Sequence, residues 1–304
     1  MLKKFLFIIY FPFLFISCSP QTPQNGFLIA VSIPPQGWFV SQIAGDRAHT
    51  LVLAEPGQNP HNYEPGPKQI QSLSSAHAWI LSGSEFEISL RPKAASVFPN
   101  LLIVDGTEGV KFRTLEEHDH YDGDAHSSIE IDRHTWLGRE PAKILAVHIR
   151  DTLSEVDGAN AAYYRERCEI LVSLIDNEFD ELRITLAPLR GSSVFVYHPS
   201  FGYFLDEFGI HQEAVETGGK EPGPRELYNL IARFNEERAA AIFVQTQFPA
   251  NAARTLASVT GARLITLDPL AENWLENIRL MGATLKMSTL KMSVLKMPTL
   301  HVTS

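Results

Sequence analysis

The chain is predicted to be an α/β protein of two similar parallel-sheet lobes joined by a single long rigid helix. Three observations carry that expectation. Two stretches alternate β-branched apolar runs with amphipathic segments, which is the pattern of parallel strands covered on both faces by helices. Between them lies an unusually long run of helical periodicity. The 304 residues provide ample length for two such lobes.

In the first stretch, strands are expected at 27–33, 49–54, 78–83 and 100–106, with helices at 35–44, 67–75 and 85–96. In the second, strands at 193–198, 211–216, 240–245 and 263–268 alternate with helices near 200–208, 224–237, 250–260 and 272–285. Helical spacing fills 142–153 and then 159–186, with Gly158 between them. The second piece is long enough for roughly 40 Å of helix at ~1.5 Å per residue, a stiff connector rather than a flexible hinge. The competing assignment is a long core helix of one domain.

The remaining segments divide as follows. Residues 1–17 have the anatomy of an export signal: Lys3 and Lys4, an uncharged apolar core from Phe5 to Ile16, and small Ser17. The apolar run is shorter than the ~20 residues of a spanning helix. FISC, ending at Cys18, resembles a lipobox, with Cys18 the acylated residue and 18–26 a lipidated tether. An ordinary signal with an incidental cysteine is the alternative. The N-terminal lobe is assigned to 27–158, the linking helix to 159–187 and the C-terminal lobe to 188–285. LKMST, LKMSV and LKMPT repeat in tandem from Leu285, so 286–304 is read as a low-complexity, fraying tail, with a methionine-rich copper site as the minor alternative.

Formal charge is −9, or −11 once Lys3 and Lys4 are removed, which disfavours nucleic acid and suits a cationic cargo. Cys168 is the single cysteine besides Cys18, so the body forms no internal disulfide, and in its helical setting it reads as a packed small hydrophobe.

Chemistry concentrates at three histidines in separate segments: His61 in GQNPHNYEPGP, His134 in IDRHTWL and His198 in VFVYHPSFGYF. Asp268 in LITLDPLAENW shares the strand-end setting. If they converge, three imidazoles and a carboxylate close a four-ligand site for a borderline-soft divalent cation, zinc above all. His61 lies in a polar Gly/Pro loop, and His198 ends an apolar strand at a corner where α/β folds place ligands. His134 has the alternative of packing on Trp136, and Asp268 that of capping the next helix or starting a turn before Pro269. His118, His120 and His126 in the acidic loop TLEEHDHYDGDAHSS form an auxiliary, weak metal-capture segment, with an incidental polar loop as the bland reading.

HNYEPGPKQIQSLSSAHAWILSGSEFE resembles the H-x-Y-E-P-x-P…E segment of bacterial ABC-importer metal-binding lipoproteins, the ZnuA-like and TroA-like zinc or manganese substrate-binding proteins. The likeness continues through DRHTWL, VYHPSFGYFLDEFGI, EPGPRELYNLI, AAIFVQTQF and TGARLITLDPL, spanning residues 27–285 in family order. It implies two lobes bridged by one long helix, with metal between them. The implied ligands are His61 and His134 from the first lobe, and His198 and Asp268 from the second; Glu64 is not implied as one. A histidine at position 198, where manganese-preferring members tend to have a carboxylate, favours Zn²⁺, with Mn²⁺ as the alternative. The sequence departs from the family at Arg133, at Gly138 and Arg139, and at Gln245, changes that bear on how the imidazoles are oriented.

The resulting expectation is a monomeric, extracytoplasmic, lipid-anchored substrate-binding component that delivers its ion to a cognate ABC permease in the inner membrane, and not an enzyme. Two rival functions compete with it. A zinc hydrolase needs an open metal position, a general base and a substrate cleft, and the chain has no HExxH-like motif. A surface adhesin has no sequence feature of its own.

Overall fold

The structure, a computed structural model, describes residues 26–115, 130–216 and 218–294. The expected export signal, Cys18 and its tether, and His118, His120 and His126 lie outside the described residues.

All eight expected strands form. β1 (Phe27–Val31), β2 (Ala48–Val52), β3 (Ala78–Leu81) and β4 (Leu102–Asp105) make a parallel sheet in the order β2-β1-β3-β4. β5 (Ser193–Val196), β6 (His211–Ala214), β7 (Ala241–Val244) and β8 (Arg263–Thr266) repeat that order as β6-β5-β7-β8, again all parallel. The central strands are buried on both faces, which is why Ile29, Ala30 and Val31 run apolar without alternation. In each sheet the chain first crosses to one side of the leading strand and then to the other. The crevice beyond the carboxyl ends of the strands at that switch is where such folds bind ligands.

The helices are α1 (Pro34–Ala44), α2 (Pro67–Leu73), α3 (Glu85–Val97), α4 (Arg139–Val156), α5 (Ala161–Leu186), α6 (Gly202–Glu207), α7 (Pro224–Glu236), α8 (Asn251–Thr260) and α9 (Trp274–Val294). The connector α5 buries Tyr164, Cys168, Leu171, Ile175, Phe179, Leu182 and Leu186, one stripe at helical spacing. That stripe belongs to one continuous core with Val31 and Ile80 of the first lobe and Val196 and Phe243 of the second. A shared core, rather than a bare linker, makes the connection stiff. Cys168 packs inside it as a small hydrophobe, its thiol donating to the Ala146 carbonyl, and burial raises its pKa.

A second tie crosses between the lobes beside the crevice. The Trp136 indole donates to the Pro269 carbonyl at 2.8 Å, and the Trp274 indole donates to the Trp136 carbonyl at 2.6 Å. Trp274 is fully buried against Trp38, Phe39 and Phe179.

The described structure departs from the sequence expectation in α9, which runs on through the first two five-residue repeats to Val294. Leu, Lys and Met are strong helix formers, and the first proline comes at Pro298, so propensity outweighs the non-helical repeat period. Leu285 and Ser288 are buried on this extension, and Arg263 donates to the Ser288 carbonyl. Among the described residues, no helix is long and apolar enough to cross a membrane.

Candidate metal centre

His61 and His198 sit on loops that leave the carboxyl ends of β2 and β5, and His134 ends the long connection between β4 and α4. His61 lies between β2 and α2, its backbone N–H donating to the Asn59 side chain. His134 opens the short 3-10 turn that leads into α4. His198 follows β5, where Gln245 at the end of β7 grips its backbone on both sides: Gln245 Oε1 accepts from His198 N, and its Nε2 donates to the His198 carbonyl and to Ser200 Oγ. Phe248 stacks on the His198 ring with centroids 4.2 Å apart.

The three rings converge. His61 Nε2 lies 2.9 Å from His198 Nε2 and 3.2 Å from His134 Nε2, and the His134–His198 separation is also 3.2 Å. Two nitrogens bound tetrahedrally at the usual zinc distance are about 3.3 Å apart. The triangle is therefore the size a single small cation requires.

The opposite nitrogen of every ring meets a carboxylate. His61 Nδ1 is 3.0 Å from Glu85, the first residue of α3. His134 Nδ1 is 2.8 Å from Asp132 Oδ1, which also accepts the His134 backbone N–H. His198 Nδ1 is 2.5 Å from Glu216. These partners fix the tautomer: Nδ1–H donates outward, and the Nε2 lone pair faces the centre. Electrostatics agree. Burial, reinforced by His134 and His61, lowers the His198 pKa well below the ordinary histidine value, so this ring stays neutral. Burial raises Glu216 to about 7. Burial also raises Glu85 and Asp132, but the rings of His61 and His134, hydrogen-bonded to them, outweigh it and leave both carboxyls low.

The cavity at the three rings is about 20 Å³ and is walled by Trp136, Phe248 and Leu270. That volume holds an ion with one water-sized companion, not an organic substrate. Among the described residues, His61, His134 and His198 are the group whose ligand atoms lie within 4.8 Å of one another, and Asp268 stands outside it. Its Oδ1 instead accepts from Gln247 Nε2 at 2.7 Å and from the Leu270 backbone at 2.9 Å, closing a turn around Pro269.

Glu85, Asp132 and Glu216 were not picked out from the sequence. Asp132 had a local signal, two residues ahead of its histidine. Glu216 had none: it lies 18 residues from His198. Register brings them together, because the Val196↔Ala214 pairing of β5 and β6, extended by two residues, sets His198 opposite Glu216. Arg133, one of the departures noted above, donates to the Gly83 carbonyl and lies 3.6 Å from Glu85, so it steadies the loop behind His61.

Comparison with known proteins agrees with this geometry. The profile of the family described as "Zinc-uptake complex component A periplasmic" matches residues 29–287. The chain belongs to this zinc-uptake family. It is similar to the high-affinity zinc uptake system protein ZnuA of Yersinia pestis, 28% identical over 262 aligned positions that cover 80% of this chain and 82% of that protein. It is also similar to the zinc-binding lipoprotein AdcA of Streptococcus pneumoniae, 27% identical over 84% of this chain, and it spans 52% of that longer protein. A crystal structure of ZnuA superposes with a TM-score of 0.80 at 31% identity, covering 87% of this chain and 99% of that one. Membership of this zinc-uptake family places the chain among metal-binding transport components, not enzymes.

Proposed function

We propose that the chain is the extracytoplasmic substrate-binding component of an ABC importer, capturing Zn²⁺ between its lobes and delivering it to a membrane permease. One observation carries the reading: three Nε2 atoms face one another at 2.9–3.2 Å while every Nδ1 is backed by a carboxylate. Three neutral imidazoles form a borderline-soft donor set suited to zinc, whereas manganese favours harder oxygen donors. The two lobes each contribute ligands, so binding sets their relative position, and release follows when a permease separates them. The shared core around α5 and the paired tryptophans restrict that separation to small displacements.

In this reading the protein works as a monomer anchored through Cys18, and His118, His120 and His126 provide weak auxiliary capture. Asp268 is the fourth ligand, and its carboxylate exchanges Gln247 for the ion. The Zn²⁺-bound site thereby closes, leaving no open position for hydrolytic water.

Competition titration of protein purified without added metal tests this. One Zn²⁺ per chain is expected, held at least about 100-fold more tightly than Mn²⁺, and Asp268→Ala is expected to weaken zinc by about tenfold or more, less than loss of an imidazole because water can take the vacated position. Equal affinity for the two metals would overturn the zinc assignment. Unchanged affinity in Asp268→Ala would give the fourth position to another group.

A further inference from the structure

Asp132, the carboxylate behind His134, is fully buried. Its Oδ1 is used by the His134 ring and backbone, and its Oδ2 accepts Arg113 Nη1 at 2.7 Å. A buried carboxylate facing a neutral imidazole needs a counter-charge, and Arg113 supplies one in a fixed planar geometry. The carboxylate behind His198 has no such support: among the described residues, no lysine or arginine forms an ion pair with Glu216.

Arg113 does not stop at Asp132. Its Nε donates to Asp206 Oδ2 at 2.8 Å, and its backbone N–H donates to the Tyr203 hydroxyl at 3.1 Å. Tyr203 in turn donates to the Asp132 carbonyl at 3.1 Å. Tyr203 and Asp206 belong to α6, the helix that begins four residues after His198 in the second lobe. Arg113 and Asp132 flank an isolated antiparallel bridge of the first lobe between Thr114 and Ile131, where Leu115 N donates to Glu130 O and Asp132 N to Arg113 O. One side chain therefore reaches both the support of His134 and the element that follows His198.

The local sequence is shaped to admit it. A Cβ at Gly202 would lie 1.8 Å from Arg113 Nη1 and 2.9 Å from Asp132 Oδ2, so only glycine at the start of α6 leaves room for the guanidinium.

We infer that Arg113 is a positioning residue of the metal centre, seated over Gly202, which locks Asp132 behind His134 and couples that pair across the lobes to α6. This rests on the three-histidine zinc site proposed above. An ordinary inter-lobe ion pair would affect stability alone, and its outer half is worth little, because the Asp206 side chain is 54% exposed. A positioning role instead alters the metal site itself.

The test uses the full chain and compares Zn²⁺ affinity by chelator competition, together with the visible absorption of the Co²⁺ complex, in the parent, Arg113→Met, Arg113→Lys and Gly202→Ala. Arg113→Met is expected to lose about tenfold in zinc affinity and to shift the Co²⁺ bands. Gly202→Ala, which displaces the guanidinium without removing its charge, should move both readouts the same way, and Arg113→Lys should recover part of the loss. Affinity within twofold of the parent and an unaltered Co²⁺ spectrum in Arg113→Met, or in Gly202→Ala if the former does not fold, would overturn the inference, whatever happens to the melting temperature. A parent protein that binds no zinc would instead overturn the functional reading on which the inference stands.

Discussion

Replacing His198 by alanine is expected to lower zinc affinity by about 100-fold or more while leaving the chain folded. Structural zinc sites with four ligands are worth ~10–16 kcal/mol, so one ligand represents roughly 3 kcal/mol, or about two orders of magnitude. His198 is the member with the greatest expected effect because its surroundings are the most specialised. Phe248 stacks on it, Gln245 fixes its backbone and Glu216 orients its ring. It is also held neutral by burial, so the ion does not have to displace a proton from it near neutral pH. The control is His211→Ala, on an exposed edge of β6 away from the cluster, which should leave the affinity of the parent intact. Chelator competition reads both variants. Parent-like zinc binding in His198→Ala would remove that histidine from the site.

Trp274→Ala is expected to be the most destabilising of the substitutions considered, costing about 3–5 kcal/mol in chemical denaturation. Its ring is fully buried where α1, α5 and the second lobe meet, in contact with Trp38, Phe39 and Phe179. Truncation opens a large cavity in the core the two lobes share and leaves the Trp136 carbonyl without its indole donor. Trp274→Phe should cost markedly less, since it refills much of the volume and loses mainly the hydrogen bond. A loss below about 1 kcal/mol in the alanine variant would mean that the lobes do not depend on this junction.

The parts of the fold that were legible in the sequence were those in which local pattern and tertiary burial agree. Strands such as FLIAV and AWIL are buried on both faces and so read as unbroken apolar runs. The connector shows in the spacing from Tyr164 to Leu186 because one face of it lies against both lobes. The end of α9 was hidden, since a repeat period that fits no regular element says little when Leu, Lys and Met, three of every five residues in it, are good helix formers.

The site divides in the same way. His61, His134 and His198 were visible because each stands in a distinctive local sequence at a break between elements, and the fold brings all three together. The carboxylates behind them were not, because Glu216 meets His198 through sheet register and Glu85 meets His61 where the loop after β2 packs against the start of α3. Asp268 illustrates the converse. Its strand-end setting suits a ligand and a turn equally, and the described conformation uses its Oδ1 for the turn.

The central claim is that three imidazoles, oriented by Glu85, Asp132 and Glu216, hold one zinc ion. X-ray absorption at the zinc edge of the stoichiometric complex tests it most directly. The account predicts three histidine nitrogens at ~2.0–2.1 Å with the outer-ring scattering of imidazole, completed by oxygen. A first shell with one imidazole or none, or a shell dominated by oxygen, would contradict it.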